Sequence, residues 1–412
     1  METTAATEMH ANKPAYVQPL PRVNAGGHAA VPMDLSPSTS ACPRVTHAGI
    51  AGGRTLFYTP ILLRHRVDRV RERFLQLHAD AETTAFLRAY CTDKESVVRD
   101  GLAHALRWMG WSLTDVNGML GRGQMFVCSN AHVRKLLAAS GWGPKEFAQC
   151  AGRRAGRGSG ASAAGAGGGA DDGGEDEEGA VKISNSNGND NDTTTAVSGV
   201  GGGALLDVGA GDGTVTSTAL APLVGFFRQG MGSSATTTNT TASANTPGLV
   251  VTTEVSGPMV TRLRSHGFVC HETVDLRTCA ALLPAMRGAF DIVACLNVLD
   301  RADRPRRLLE DLAALVKPGT GRVVLAVVLP FCPFVESGSR QLQPSERLNM
   351  RGGMCREGAY FEWSVDAMVT QVLEPAGFHV HAWSQLPYLC SGDRAAPYYV
   401  LYDALFVLSK PE

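Results

Sequence analysis

The stretch Leu205-Leu-Asp-Val-Gly-Ala-Gly-Asp-Gly-Thr-Val-Thr216 decides how this chain folds. An apolar run carries an acid near its end, Asp207, and a glycine-rich turn, Gly209-x-Gly211-x-Gly213, leads into a helical stretch. Glycine suits a backbone that must turn tightly and let a ligand approach without a Cβ in the way. The helix N-terminus then presents N–H groups and positive potential.

The spacing is not the G-x-G-x-x-G of the dinucleotide fingerprint. Asp207, just before the loop, would repel a pyrophosphate and favour a cation. A ligand uniting an ammonium, a carboxylate and a nucleoside fits, and S-adenosylmethionine has all three. Glu254 closes the next strand, LVVTTE, 47 positions after Asp207, or 28 once a 19-residue polar run is set aside. That is near the roughly 20-residue offset at which an acid takes ribose hydroxyls in doubly wound folds. Gly209, Gly211, Gly213, Asp207 and Glu254 are therefore the expected cofactor contacts.

Outward from this motif, short apolar runs alternate with helical periodicity. Strands are expected at Ala204–Val208, Leu249–Thr253, Phe268–Cys270, Phe290–Leu296, Gly321–Leu329, Phe378–Trp383 and Tyr398–Leu408. Helices are expected at Val215–Phe227, Pro258–Ser265, Pro305–Val316 and Tyr360–Ala376. Near-continuous Val/Leu/Ile/Ala runs imply burial on both faces and parallel pairing. The result is an α/β fold with one doubly wound, seven-strand, mostly parallel sheet, closed by a late antiparallel hairpin. Ligands bind such sheets at the carboxyl ends of the strands beside the switch point, here between the first and fourth strands. The fourth ends Cys295-Leu-Asn-Val-Leu-Asp300, which aims Asn297 and Asp300 at the reactive end of the cofactor.

The remaining chain is different in kind. Of 46 Gly, 16 lie within residues 151–203, a stretch without Leu, Phe, Tyr, Trp or Met. So few apolar side chains cannot offset the entropy of ordering, so 151–203 reads as a disordered insertion. Residues 1–50 read as a disordered tail, and about 229–247 as a polar insertion within the domain spanning 204–412. Residues 51–150 form a helical N-terminal region, with a Gly-rich break at Val116–Val127 and a new helix that Ser129 or Asn130 could cap. The basic stretch Arg64–Arg73 reads as a solvated helix face.

Net charge of −1 argues against a nucleic-acid partner. The ten cysteines form no C-x-x-C pair and no zinc pattern, so no metal is expected. The longest apolar run, Val323–Val335, holds 13 residues and two prolines, too short for a membrane span. With no signal-peptide core near the start, an intracellular, cytoplasmic monomer is expected.

The blocks LLDVGAGDGTVT, TEVS, CLNVLDRADRP, GRVVLAVVLPFCPFVE, LPYLCSGD and YYVLYDALFVLSK, with TDVNGMLGRGQMFV upstream, resemble the DREV (methyltransferase-like protein 9) family. The resemblance implies a Rossmann-like class I methyltransferase that modifies histidine in protein or peptide substrates carrying His-x-His motifs. It adds Asn297 and Tyr388 to the cofactor contacts and sets Asp300 beside the target imidazole, with Asn297 holding the cofactor's methionine end or the ring. Tyr402 departs from the family pattern, which would place an Asp beside Asp403. Two other classes stay open on the residues alone: a small-molecule methyltransferase and a non-catalytic cofactor-binding scaffold. The chain's own His379-Val-His381 falls in an expected strand with both rings on one face, a structural placement.

Overall fold

The computed structural model describes residues 56–91, 97–143, 203–229, 248–283, 285–356, 358–391 and 398–412. The expected tail and, apart from Gly203 and Gln229, the two expected insertions lie outside them.

Five helices come first: α1 (Asp68–Glu72), α2 (Ala81–Cys91), α3 (Val97–Trp108), α4 (Leu113–Leu120) and α5 (Asn130–Ala139), with a short strand β1 (Met125–Phe126) before the last. Ser129 caps α5, accepting from His132 N in a reciprocal capping box. The Gly-rich break is narrower than its composition suggests, since α4 runs through to Leu120 and Gly121 ends it at φ 64°.

The basic stretch is a clamp where a solvated helix face was expected. Only α1 is α-helical there, and the arginines are occupied. Arg64 lies over the Tyr360 ring, Arg66 over Trp363, and Arg69 pairs with Glu374 at 2.7 Å. Between them the buried His65 sits 2.7 Å from Asp366. Trp383, fully buried, donates its indole N–H to Val70 O at 2.7 Å. Periodicity could not reveal this, because apolar and cationic side chains both find partners on a neighbouring element.

The sheet follows: β2 (Ala204–Val208), α6 (Thr214–Thr218), α7 (Ala221–Gln229), β3 (Leu249–Glu254), α8 (Gly257–Ser265), β4 (Val269–Glu272), β5 (Ile292–Leu296), α9 (Pro305–Leu315) and β6 (Arg322–Val328). A hairpin of β7 (Val335–Ser337) and β8 (Arg340–Leu342), helix α10 (Phe361–Met368), β9 (His379–Ser391) and β10 (Tyr398–Ser409) complete the order. The spatial order is β1-β9-β10-β6-β5-β2-β3-β4. Strands β4, β3, β2, β5 and β6 pair in parallel, while β10 and β9 are antiparallel. This is the doubly wound Rossmann-like class I methyltransferase fold, with the seven expected strands and β1 added at one edge. The switch point is the β2/β5 boundary, as expected.

Two element boundaries differ from the sequence reading. The expected helix Val215–Phe227 is two helices, because Pro222 has no N–H to continue the first and suits the first turn of a second. Strand β9 continues past Trp383 to Ser391 despite Pro387. Along that stretch β1 covers only Leu389 and Cys390, so the absent N–H of Pro387 falls on an open edge.

Alternation sorts the core into two faces. Leu206, Val208, Val293, Cys295, Leu325 and Phe406 pack on one. Leu205, Ala294, Val324, Leu386, Tyr388 and Leu405 pack on the other, with Phe126, Val133 and Leu137 of the helical region. The β10–β9 register breaks between Val407 and Leu408, leaving His381 bulged, its Nε2 2.9 Å from Ser409 Oγ. No helix among the described residues is long and apolar enough to cross a membrane.

Candidate functional site

Two clusters meet the carboxyl ends of the parallel strands. The first is the glycine loop between β2 and α6. Asp207 is 2% exposed and accepts from Thr216 Oγ1 at 2.6 Å, so it reaches beneath the loop to the first turn of α6. Burial pushes its carboxyl up to about 7, against the Thr216 hydrogen bond. Glu254, also buried, holds the loop from the other side: Oε2 accepts from Gly211 N at 2.9 Å, and Oε1 from Val255 N and Ser256 N. The loop's N–H groups are thus largely engaged within the protein. Gly213 N donates to Ala210 O and Thr214 N to Asp212 Oδ1.

The glycines divide by what surrounds them. A Cβ at Gly209 (φ 67°) would stand 2.5 Å from Val298 Cγ2, and one at Gly213 would stand 2.9 Å from Leu263 Cδ2. Both allow close packing. Gly211 (φ 60°) has nothing within 4 Å of the equivalent point, so the loop's open side lies there.

The second cluster joins β5 to β10. Asn297 sits at φ 59°, the one non-glycine residue of positive φ among the described residues. Such a backbone costs of order 1–3 kcal/mol and persists where its surroundings hold it. Its N–H donates to Ala326 O at 3.0 Å, and its side-chain amide to Asp403 Oδ2 at 2.8 Å. Asp300, 2% exposed, accepts from Arg301 Nη1 at 2.6 Å, and the Arg301 guanidinium stacks on Phe334, 3.9 Å from the ring centroid.

Three acceptor oxygens here are buried without a donor: Asn297 Oδ1, Asp300 Oδ1 and Asp403 Oδ1. Burial raises the Asp300 pKa against the opposing charge of Arg301. Burial also holds Asp403 well above the ordinary carboxylate range, and the Asn297 hydrogen bond only partly offsets it. The arrangement therefore presents acceptors to a donor, and ionised carboxylates would favour a cation.

Tyr388 lies on the same sheet face two residue pairs along: it faces Leu401 where Leu386 faces Asp403. It is buried, with its hydroxyl 2.6 Å from Met125 Sδ. Asp115 of α4 accepts from Ser256 Oγ at 2.6 Å, and Gln124 Oε1 lies 3.5 Å from Thr214 Oγ1. One block of the helical region, Asp115 to Met125, thus touches three parts of the site.

The structure brings Asn297 and Asp300 together, and gathers Asp207, Glu254 and the three glycines separately around the loop. Sequence reasoning left Asp403 out of the candidate site. A single acid inside the apolar run YYVLYDALFVL is costly to bury and was the available signal. Asp115, Gln124 and Thr216 carried none, since each is an ordinary polar residue on a helix or turn. No group of three or more metal-ligating side chains occurs among the described residues.

A family model described as DREV methyltransferase matches residues 61–159 and 191–410. Among solved structures, the chain is similar to a SAM-dependent methyltransferase from Aquifex aeolicus, at 16% identity over 51% of this chain and 84% of that one, with a TM-score of 0.28. It is also similar to magnesium protoporphyrin IX methyltransferase from Synechocystis PCC 6803, solved with bound SAM, at 16% identity over 51% and 72%, with a TM-score of 0.27.

Proposed function

Because the chain belongs to the DREV methyltransferase family, whose members use S-adenosylmethionine, we propose that it methylates a ring nitrogen of histidine in protein substrates bearing His-x-His motifs. The observation that carries this reading is the set of three orphaned acceptors on Asn297, Asp300 and Asp403. A neutral imidazole brings one N–H donor and one nucleophilic lone pair, and becomes a cation on alkylation.

The residues present fit the cofactor. Gly211 leaves open space at the loop. Three hydrogen bonds use Glu254, and a carboxylate has about four lone-pair positions, so one remains for a hydroxyl. Glu254, Gly209, Gly211 and Gly213 would hold the nucleoside side, Asp207 would brace the loop from below, and Tyr388 would close over the methionine portion. When bound, S-adenosylmethionine supplies an electrophilic methyl on a sulfonium.

The protein's own task is then orientation. Imidazole, with a pKa near 6.5, is already largely neutral at pH 7, so no strong base is needed. Asp300 accepts the N–H of the non-attacking nitrogen, fixes the tautomer and stabilises the developing imidazolium. Asn297 fixes the ring against the Asp403 carboxyl. Holding reactants at near-attack distance contributes roughly 7 to 11 kcal/mol. Arg301 sits on Asp300 Oδ2 and leaves Oδ1 to the ring, but its positive charge opposes the developing imidazolium and must give way.

The test is labelled cofactor incubated with a His-Ala-His peptide, its His-to-Ala control and a small-metabolite extract. Label in the histidine peptide alone is expected, with Asp300→Ala losing transfer while still binding cofactor. Label in metabolites alone would support a small-molecule enzyme. Binding without any transfer would support a scaffold.

A further inference from the structure

Two cysteines lie beside this site and take no part in the chemistry above. Cys332 and Cys355 are both exposed, whereas Cys128, Cys270 and Cys295 are buried. A parallel bridge pairs Phe331 with Met354, through Phe331 N to Gly353 O at 3.0 Å and Cys355 N to Phe331 O at 2.9 Å. Continuing that register by one residue sets Cys332 opposite Cys355, with both side chains on the same side. Paired strands lie about 4.8 Å apart, inside the roughly 4.4–6.8 Å Cα separation that a disulfide requires.

We infer that Cys332 and Cys355 form a reversible dithiol–disulfide pair that fixes the rim of the methyl-transfer site. The segment after Cys332 connects directly to it. Phe334 N donates to Asp300 O at 3.0 Å, and the Phe334 ring carries the Arg301 guanidinium that covers Asp300. A cross-link at Cys332 ties this segment to residues 353–355 and holds Arg301 over the carboxylate. The oxidised form is therefore the slow one.

The chemistry balances with a low-molecular-weight disulfide as oxidant. Cys355 attacks the small disulfide as its thiolate. It displaces one thiol and forms a mixed disulfide. Cys332 then gives up its proton and attacks the Cys355 sulfur, releasing the second thiol. Two protein thiols lose two electrons and two protons, and the small disulfide becomes two thiols.

The test uses the full chain and oxidised glutathione, followed by alkylation of remaining thiols and peptide mapping. A Cys332–Cys355 cross-link that dithiothreitol removes is expected, with Cys332→Ser and Cys355→Ser each unable to form it. Recovery of both cysteines alkylated, or paired elsewhere, would overturn the assignment. The effect on turnover rests on the role proposed for Asp300, but the peptide map does not, so the two can fail separately. Methyl transfer should fall in the cross-linked protein and return on reduction. Undiminished transfer by fully cross-linked protein would refute the coupling.

Discussion

Asn297 donates its side-chain amide to Asp403 Oδ2 at 2.8 Å, tying the turn after β5 to a strand two positions away in the sheet. The bond anchors a left-handed backbone at φ 59°. Asn297→Gly keeps that backbone without strain, whereas Asn297→Ala combines strain with loss of the amide. Thermal denaturation should find the Gly variant more stable than the Ala variant by about 1 kcal/mol, and both deficient in transfer. Equal stability would mean that the turn relaxes without its anchor.

The loop glycines separate packing from ligand approach. Gly209→Ala drives a methyl into Val298 and should lower the melting temperature sharply. Gly211→Ala meets open space, so its stability cost is the positive φ alone, about 1 kcal/mol. It should nevertheless weaken cofactor binding, measured by calorimetry. Normal binding by Gly211→Ala would move the cofactor away from this side of the loop.

Asp207 makes stability depend on pH in a direction opposite to that of most carboxylates. In the unfolded chain its pKa is about 3.9, while in the fold burial raises it to about 7. Between those values the unfolded state binds fewer protons. Its contribution is thus complete below about pH 4 and is lost as pH rises through 7. Asp207→Asn, still able to accept from Thr216, should flatten this part of the melting profile between about pH 4 and 7. An unchanged slope would show that another group is responsible.

The polar run between α7 and β3 departs from the edge of the sheet opposite the site. Gly248 N donates to Phe227 O at 2.6 Å and Leu249 N to Gly203 O, at the amino ends of β2 and β3. Glu254 stands at the other end of β3. Deleting residues 231–246 should therefore leave cofactor binding and transfer intact. Loss of either, in a variant that melts normally, would give that run a part in the site.

Much of this architecture was legible because its signals are local. A buried parallel strand reads as an unbroken apolar run, and the sharp turn at LLDVGAGDG needs glycine wherever a Cβ would strike Val298 or Leu263. Asn297 and Asp300 were legible because a strand's carboxyl end is a fixed address. Asp403 was not, since its place beside Asn297 comes from the order in which β10 joins the sheet. Nor could periodicity tell that Arg64, Arg66 and Arg69 grip residues 360–374, about 300 positions later. Nor was the run of β9 through Pro387 legible, because whether a strand tolerates proline depends on which edge is open.

In the proposed reaction the acceptors of Asn297, Asp300 and Asp403 serve an imidazole. The most direct measurement is amino-acid analysis of a His-Ala-His peptide hydrolysed after incubation with the protein and S-adenosylmethionine. Methylhistidine should appear with the intact protein and be absent with Asp300→Ala. Unmodified histidine throughout, from protein shown to bind the cofactor, would contradict the account.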